Sequence, residues 1–277
     1  MQELLSARQI QLVGLNMLKY LDALCREHGI RCFLSGGTLL GAIRHQGFIP
    51  WDDDVDVMMP RPDYNRLLEL VKSIRHERFA FLTETKEDYA TPYLRLMDTH
   101  TDVLPTEYLS HPVPHLFLDI FPIEGLPDDE NKCRAFYKKM RAYDIMYQSA
   151  RKGKFRKGER LQLLKKCVHA FAMMTGGTAA WCKRFDQAAQ QVGYGTTKHA
   201  GVCLIAHYGM RERMPIDVFE GSVPVTFEGC EFSAPAGYHR YLTGLYRDYM
   251  QLPPPEKRVS LHRLQCRYIP GHPADEI

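Results

Sequence analysis

Between Trp51 and Val57 the chain sets four aspartates in five positions, Asp52, Asp53, Asp54 and Asp56. Val55 and Val57 alternate with the last two. Successive side chains of an extended strand point to opposite faces, so Asp54 and Asp56 share one face while the valines bury the other. Neighbouring carboxylates repel unless a cation lies between them. Oxygen ligands at this density suit a hard divalent ion, Mg2+ or Mn2+, which keeps waters and takes substrate phosphates as its remaining ligands.

Upstream, Ser35, Gly36, Gly37 and Thr38 join an apolar strand to a short helix. Glycines let the backbone approach an anion closely, and helix-start amides with small hydroxyls donate to phosphate oxygens. A phosphate cradle beside a carboxylate-bound metal points to phosphoryl or nucleotidyl transfer. Asp52 is an additional outer ligand.

These residues need a scaffold, and apolar periodicity supplies one. Residues 4–28 carry Ile10, Val13, Met17, Leu21, Leu24 and Cys25 at helical spacing, with Gly29 placed to end the helix. Residues 30–34 and 54–59 read as core strands around a helix at 38–44. Pro60 and Pro62 introduce a helix that runs to about residue 74. Strands follow at 79–83 and 93–97, divided by a polar turn at 84–91. In the apolar strand 115–126, Asp119 stands alone among hydrophobic neighbours. A buried carboxylate without a partner is costly, and a shared metal would resolve it. Asp98 and Asp102 are weaker alternatives near turns, and Glu124 belongs to a turn. Arg44, His45, Arg61 and Arg95 are candidates to contact substrate phosphates, and each reads equally as a structural side chain.

From 131 to 192 the pattern changes to about three helices, broken near 151–158 and at 175–178. The run from Arg151 to Lys157 is the strongest basic patch, and is read either as a solvated loop or as attraction to anionic lipid or glycan. A hairpin is expected around Glu228-Gly229, then a helix at 238–250 stopped by Pro253, Pro254 and Pro255. The tail with Lys257, Arg258 and His262 folds back toward substrate or is an ordinary polar tail.

The totals exclude several classes. A net charge of +3, from 36 basic and 33 acidic residues, is too balanced to argue for nucleic acid. Eight scattered cysteines with no C-x-x-C pair give a zinc site little support. No secretory leader is apparent at the N-terminus, and no apolar run reaches the roughly 18 residues of a spanning helix. Reduced thiols in a cytoplasmic setting, at the inner face of a membrane, are the expectation.

Gly36-Gly37 followed by Asp54-Val55-Asp56-Val57 resembles the DNA-polymerase-β-type nucleotidyltransferase pattern. The fuller string from Gly37 through Arg44, His45 and Trp51 to Asp56 is closer to the LicD family, which contains bacterial phosphocholine transferases and is related to fukutin-type ribitol-phosphate transferases. The resemblance is dense over 33–66 and thinner at 116–126 and 219–262. It implies an α+β fold, a nucleotidyltransferase-like mixed β-sheet flanked by helices with a helical annex. The catalytic core would be 1–126, the annex 127–215 on the acceptor or membrane side, and 216–277 would pack on the core. It also implies a third carboxylate from a later strand, for which Asp119 is the best candidate, serving as metal ligand and as base on the acceptor.

The implied reaction is metal-dependent transfer of phosphocholine, or a similar substituted phosphate, from CDP-choline or another CDP-linked donor. The acceptor would be a hydroxyl of a cell-surface glycan or lipid-linked glycan precursor, such as lipopolysaccharide or teichoic acid. True nucleotidyl transfer and a non-catalytic binding module on the same fold are the rival readings. Choline would be held by aromatic faces, with Phe48, Trp51 and Tyr64 as cage candidates.

Overall fold

A computed structural model describes residues 3–82, 91–105, 113–151, 155, 161–205, 208–260 and 264–271. In chain order the elements are α1 (Ala7–Glu27), β1 (Phe33–Leu34), α2 (Gly36–His45), β2 (Asp56–Pro60), α3 (Arg61–Leu70), β3 (Phe79–Leu82), β4 (Leu94–Asp98), β5 (Thr101–Val103) and β6 (Leu116–Leu126). They continue with α4 (Glu130–Arg151), α5 (Gln162–Met174), α6 (Gly177–Ala189), β7 (His199–Val202), β8 (Met214–Pro215), β9 (Ser222–Phe227), β10 (Cys230–Pro235), α7 (Tyr238–Tyr246) and β11 (Cys266–Tyr268). The architecture is mixed α+β.

Among the described residues the main sheet has seven strands, with β1, β2, β6, β4 and β3 side by side. β2 runs parallel to β6, whereas β4 runs antiparallel to it. The long β6 pairs first with β4 and then, through residues 123–126, with β7. The sheet therefore reaches into the stretch read from sequence as helical annex. The expected three helices are there as α4, α5 and α6, and α4 and α6 enclose a second apolar cluster built on Met140, Tyr147 and Phe185.

The Val55 and Val57 side is packed as the alternation requires. Both are at most 1% exposed, and α1 lies so close that a Cβ on Gly14 would come within 2.9 Å of Val55. A capping box between Ser6 and Gln9 starts α1. The Glu228-Gly229 hairpin turn has positive φ at both residues, 53° and 71°, as a two-residue turn between twisted strands requires. Its Glu228 carboxylate accepts from Phe48 N–H at 3.0 Å and pairs with Arg8 at 2.5 Å. The hairpin thus clasps the loop leading to the aspartates, and the Arg8 guanidinium holds the Glu228 carboxyl below its usual range.

Several bounds differ from expectation. α2 begins at Gly36 rather than Thr38, with Ser35 extended as its N-cap. α3 stops at Leu70, and α7 stops at Tyr246 because Arg247, at φ 63°, turns the chain out of the helix. Thr83, most of the 84–91 turn, most of the Arg151–Lys157 basic run and His262 lie outside the described residues.

Arg61 does not serve as a phosphate contact in this fold. Its guanidinium is buried and committed to Glu124, and it reaches Asp186 of α6 at 2.8 Å. Glu124 is a strand residue at 0% exposure rather than part of a turn. The trio fastens α3, β6 and α6 together. Removing one partner of a buried pair leaves an uncompensated charge and costs about 3–5 kcal/mol. Arg61→Ala is therefore expected to lower the midpoint of thermal unfolding sharply. An unchanged midpoint would contradict this role.

Candidate active site

The face of β2 opposite the valines opens into a cavity of about 1100 Å3. Asp52, Asp54, Asp56 and Asp119 all line it. Asp56 and Asp119 are register partners on the parallel strands β2 and β6, and Arg95 is the register partner of Asp119 on β4. Register partners point to the same face, so the three side chains form a row across adjacent strands. Asp54 precedes the paired part of β2 yet lines the same cavity.

The crowding shows in the ionisation of Asp56. Burial, then Asp54, Asp119 and Asp52 in turn, push its carboxyl well above the usual range, with Arg95 opposing them. Arg95 was a candidate phosphate clamp, and the structure assigns its guanidinium elsewhere. It is 5% exposed, and its Nε and Nη2 donate to Asp119 Oδ1 and Oδ2 at 2.6 and 3.0 Å. Its Cζ also lies 3.7 Å from the Phe117 ring centroid. A buried guanidinium facing a carboxylate in register is a fork-to-fork pair, and it fixes how Asp119 is presented.

The local backbone aims the acidic group. Asp56 N–H donates to Thr38 Oγ1 at 2.9 Å, so Thr38 holds the strand and does not line the cavity. Ser35 N–H donates to Asp56 O at 3.0 Å, and Asp119 N–H donates to Val55 O at 3.1 Å. Gln11 of α1 donates to Asp52 O at 2.8 Å and anchors the loop. Gly36, at φ 48°, adopts a conformation that side chains rarely tolerate. A Cβ on Gly37 would come within 2.7 Å of Asp52 Oδ2, so the glycine lets that carboxylate sit against the start of α2.

The remaining predicted residues divide. Ser35, Gly36, Gly37, Arg44 and Trp51 line the cavity. Arg44 is partly committed, since Nη1 donates to Tyr249 O and Gln251 O at 2.9 and 3.3 Å. His45 does not line the cavity; it packs edge-on to Trp51, and burial and Arg44 push its imidazole down. Of the aromatic cage, Phe48 packs on Phe227 at 4.8 Å, and Tyr64 is buried with its hydroxyl accepting from Leu94 N–H at 2.6 Å. Trp51 alone of the three faces the cavity, with Arg258 5.7 Å from its ring. The weaker carboxylate alternatives are in ion pairs, Asp98 with Arg78 and Asp102 with Arg267. Asp53 accepts from Ser260 and does not line the cavity.

Lys257 and Arg258 line the cavity and bring positive charge to it, in keeping with the folded-back alternative for the tail. Other lining residues carried no clear signal in the sequence. Glu212 and the tyrosines Tyr208, Tyr241 and Tyr246 form another part of the wall. Tyr241 reaches the glycine turn: its hydroxyl lies 3.3 Å from Ser35 Oγ.

Among the described residues, no three acidic, histidine or cysteine side chains close into a finished metal cage. Mg2+ does not require one, because it retains waters and binds through one or two carboxylates plus substrate phosphates. Asp54 and Asp56, with Asp52 and Asp119 around them, fit that donor set.

Comparison with known proteins follows the same segment. A family profile described as LicD/FKTN/FKRP, nucleotidyltransferase domain, matches residues 29–157. The lipopolysaccharide cholinephosphotransferase LicD of Haemophilus influenzae is 35% identical over 274 residues, 96% of this chain and 98% of that protein. The human ribitol 5-phosphate transferase FKRP is 49% identical over 39 residues, 14% of this chain and 8% of that protein. An uncharacterized protein of Rickettsia prowazekii is 38% identical over 55 residues, 20% of this chain and 21% of its own length.

The crowding of Asp56 has a measurable sign. Its folded-state carboxyl titrates above its unfolded value, so the folded chain binds the extra proton. Its contribution to stability is therefore lost as pH rises from the unfolded aspartate value, about 3.9, toward the raised folded value. Without divalent ions, Asp56→Asn is expected to flatten that part of the stability–pH curve and to raise the unfolding midpoint at neutral pH. Added Mg2+ or Mn2+ should stabilise wild type and not the variant. An unchanged pH slope in Asp56→Asn would remove the electrostatic basis of the site.

Proposed function

The chain belongs to the LicD family, and from that membership we propose that it transfers phosphocholine, or a similarly substituted phosphate, from a CDP-linked donor to a hydroxyl of a cell-surface glycan precursor. The observation that carries the reading is the cluster of Asp52, Asp54, Asp56 and Asp119 in one cavity beside the Gly36-Gly37 turn. That cluster lies in a chain alike over nearly its whole length to a lipopolysaccharide cholinephosphotransferase. The mixed sheet is read as a nucleotidyltransferase-type core, in keeping with the description of the matching profile.

In this reading Asp54 and Asp56 hold Mg2+ or Mn2+, Asp52 is an outer ligand, and Asp119 completes the group. The ion, when bound, neutralises the donor's phosphates and stabilises the departing nucleotide. Arg95 orients Asp119 through both of its oxygens. Gly36 and Gly37 leave room for phosphate against the start of α2, while Arg44, Lys257 and Arg258 supply positive charge around the same space. The acceptor oxygen forms a new bond to the phosphorus bearing the head group, and the bond from that phosphorus to the bridging oxygen breaks. CMP leaves, and Asp119 is the candidate acceptor of the hydroxyl proton.

Wild type is expected to release CMP from CDP-choline only with a divalent ion. Asp54→Asn, Asp56→Asn and Asp119→Asn should each lower turnover by roughly a thousandfold, the several kcal/mol a metal contributes to phosphoryl transfer. Wild-type turnover in any of them would remove that residue from the set. Release of pyrophosphate from CTP, with CMP left on the acceptor, would replace this reading by nucleotidyl transfer.

A lipid-linked acceptor lies at a membrane surface, and α5 is suited to meet one. No helix among the described residues is long and apolar enough to cross a membrane. α5 nevertheless exposes Leu163, Leu164, Phe171 and Met174, with Leu163 at 77% and Met174 at 80%, on the side away from its buried Ala172. Exposed Lys165 and Lys166 flank this stripe. An apolar stripe bordered by lysines fits an anionic bilayer surface. The chain should cosediment with phosphatidylglycerol vesicles and not with neutral ones. Leu163→Glu combined with Phe171→Glu should weaken that binding about tenfold or more, the loss of two inserted apolar side chains. Equal binding of both proteins would exclude α5 as the contact.

A further inference from the structure

Glu212 and Asp248 are the acidic residues lining the cavity that the transfer chemistry leaves unused, and of the two Glu212 is the buried one. It ends the short helical turn Gly209–Glu212 and is 1% exposed. Its Oε2 is buried without a hydrogen-bond partner. Leaving a buried carboxyl oxygen unsatisfied costs free energy, so such a group in a cavity wall calls for a ligand.

The side chains around it are aromatic. Tyr208 and Tyr246 stand nearly perpendicular, at 86°, with ring centroids 5.9 Å apart and the Tyr208 hydroxyl donating to that of Tyr246 at 3.2 Å. They form one corner of the cavity. The charge of Glu212 is felt at both rings, and those of Asp56 and Asp52 at Tyr208. A Cβ on Gly36 would lie 3.7 Å from both Tyr246 Oη and Asp56 Oδ2. The aromatic corner therefore adjoins the glycine turn and the metal carboxylates.

Proximity matters because choline is joined to its phosphoryl group by a short ethylene linker. Whatever holds its nitrogen must sit close to the carboxylates that hold the metal. A quaternary ammonium makes no conventional hydrogen bond; ring faces and a carboxylate hold it through charge. We propose that Tyr208, Tyr246 and Glu212 form the subsite that binds the quaternary ammonium of the donor's head group. This assignment rests on the phosphocholine-transfer reading and specifies its head-group selectivity. Burial pushes the Glu212 carboxyl up to about 8, and a cation seated beside it favours the ionised form. A polyol head group would instead hydrogen-bond to the free Oε2.

The test is calorimetric binding to the full chain of CDP-choline, its neutral isostere with carbon in place of nitrogen, CDP-ribitol and CMP. Wild type should prefer CDP-choline over the isostere by about tenfold or more, as a desolvated cation–π site provides. Glu212→Gln, Tyr246→Leu and the more accessible Tyr208→Leu should each reduce that preference to about threefold or less, with CMP affinity unchanged. An undiminished preference in Glu212→Gln and Tyr208→Leu would overturn the subsite, as would equal weakening of CMP and CDP-choline. Preferential binding of CDP-ribitol that Glu212→Gln abolishes would reassign it to a polyol. CMP release from CDP-choline is measured separately. The cation preference without turnover would defeat the transfer reading and keep the subsite, and turnover without the preference would do the reverse.

Discussion

Repulsion among carboxylates is the constraint on which the rest of the structure depends. Strand pairing puts Asp56 beside Asp119, and the loop before β2 brings Asp52 and Asp54 to the same cavity. Such a cluster is tolerable in a folded interior only with fixed positive charge nearby. Arg95 provides part of it from the next strand, with both oxygens of Asp119 satisfied and the guanidinium packed on Phe117. The strand order β2, β6, β4 is what makes this possible. Thr38, Ser35 and Gln11 then hold the backbone that carries the aspartates.

One arginine cannot neutralise four carboxylates, and the residual negative charge is what suits the cavity to a divalent ion. Lys257, Arg258 and Arg44 lie in the same wall. Acidic and basic groups thus share one concave surface. An ion bound at the carboxylates and phosphates bound between ion and cations would complete the charge balance. A nucleoside diphosphate ester carries both the phosphates and a base to fill the remaining space. The same balance explains why Arg61, close in sequence to the aspartates, is no part of it: Glu124 and Asp186 already claim its charge on another side of the sheet.

Much of this was legible from residue order. Alternation separated Asp56 from Val55 and Val57, helical spacing found α1 and the three helices after residue 130, and Glu228-Gly229 marked the hairpin. Asp119 stood out as an acid in an apolar strand. Arginine roles were not legible, because a guanidinium reads alike whether its partner is a phosphate or a carboxylate many residues away. Phe48 and Tyr64 misled for a related reason: nearness in sequence to Asp52 says nothing about which sheet face a ring occupies. β7 and β8 are too short, at four and two residues, to impose a period. The turn holding Glu212 lies between them, so its burial appears only once β7 joins β6 and β8 joins β7.

The arrangement along the chain separates two tasks. The profile shared across the family spans residues 29–157 and contains the glycine turn, every cavity aspartate from Asp52 to Asp119, and Arg95. Tyr208, Glu212, Tyr246, Lys257 and Arg258 come after it, yet line the same cavity. The ribitol 5-phosphate transferase matches only 39 residues, whereas the cholinephosphotransferase matches nearly the full length. Transfer of a phosphate needs the same carboxylates whatever alcohol the phosphate carries, whereas the alcohol must be recognised by groups that differ with its chemistry. In the proposed reading, the profile-matched segment would hold the metal and phosphates, and the later segment that lines the same cavity would hold the head group. It also explains why α7 ends at Tyr246: the turn at Arg247 brings the following residues back along the cavity wall.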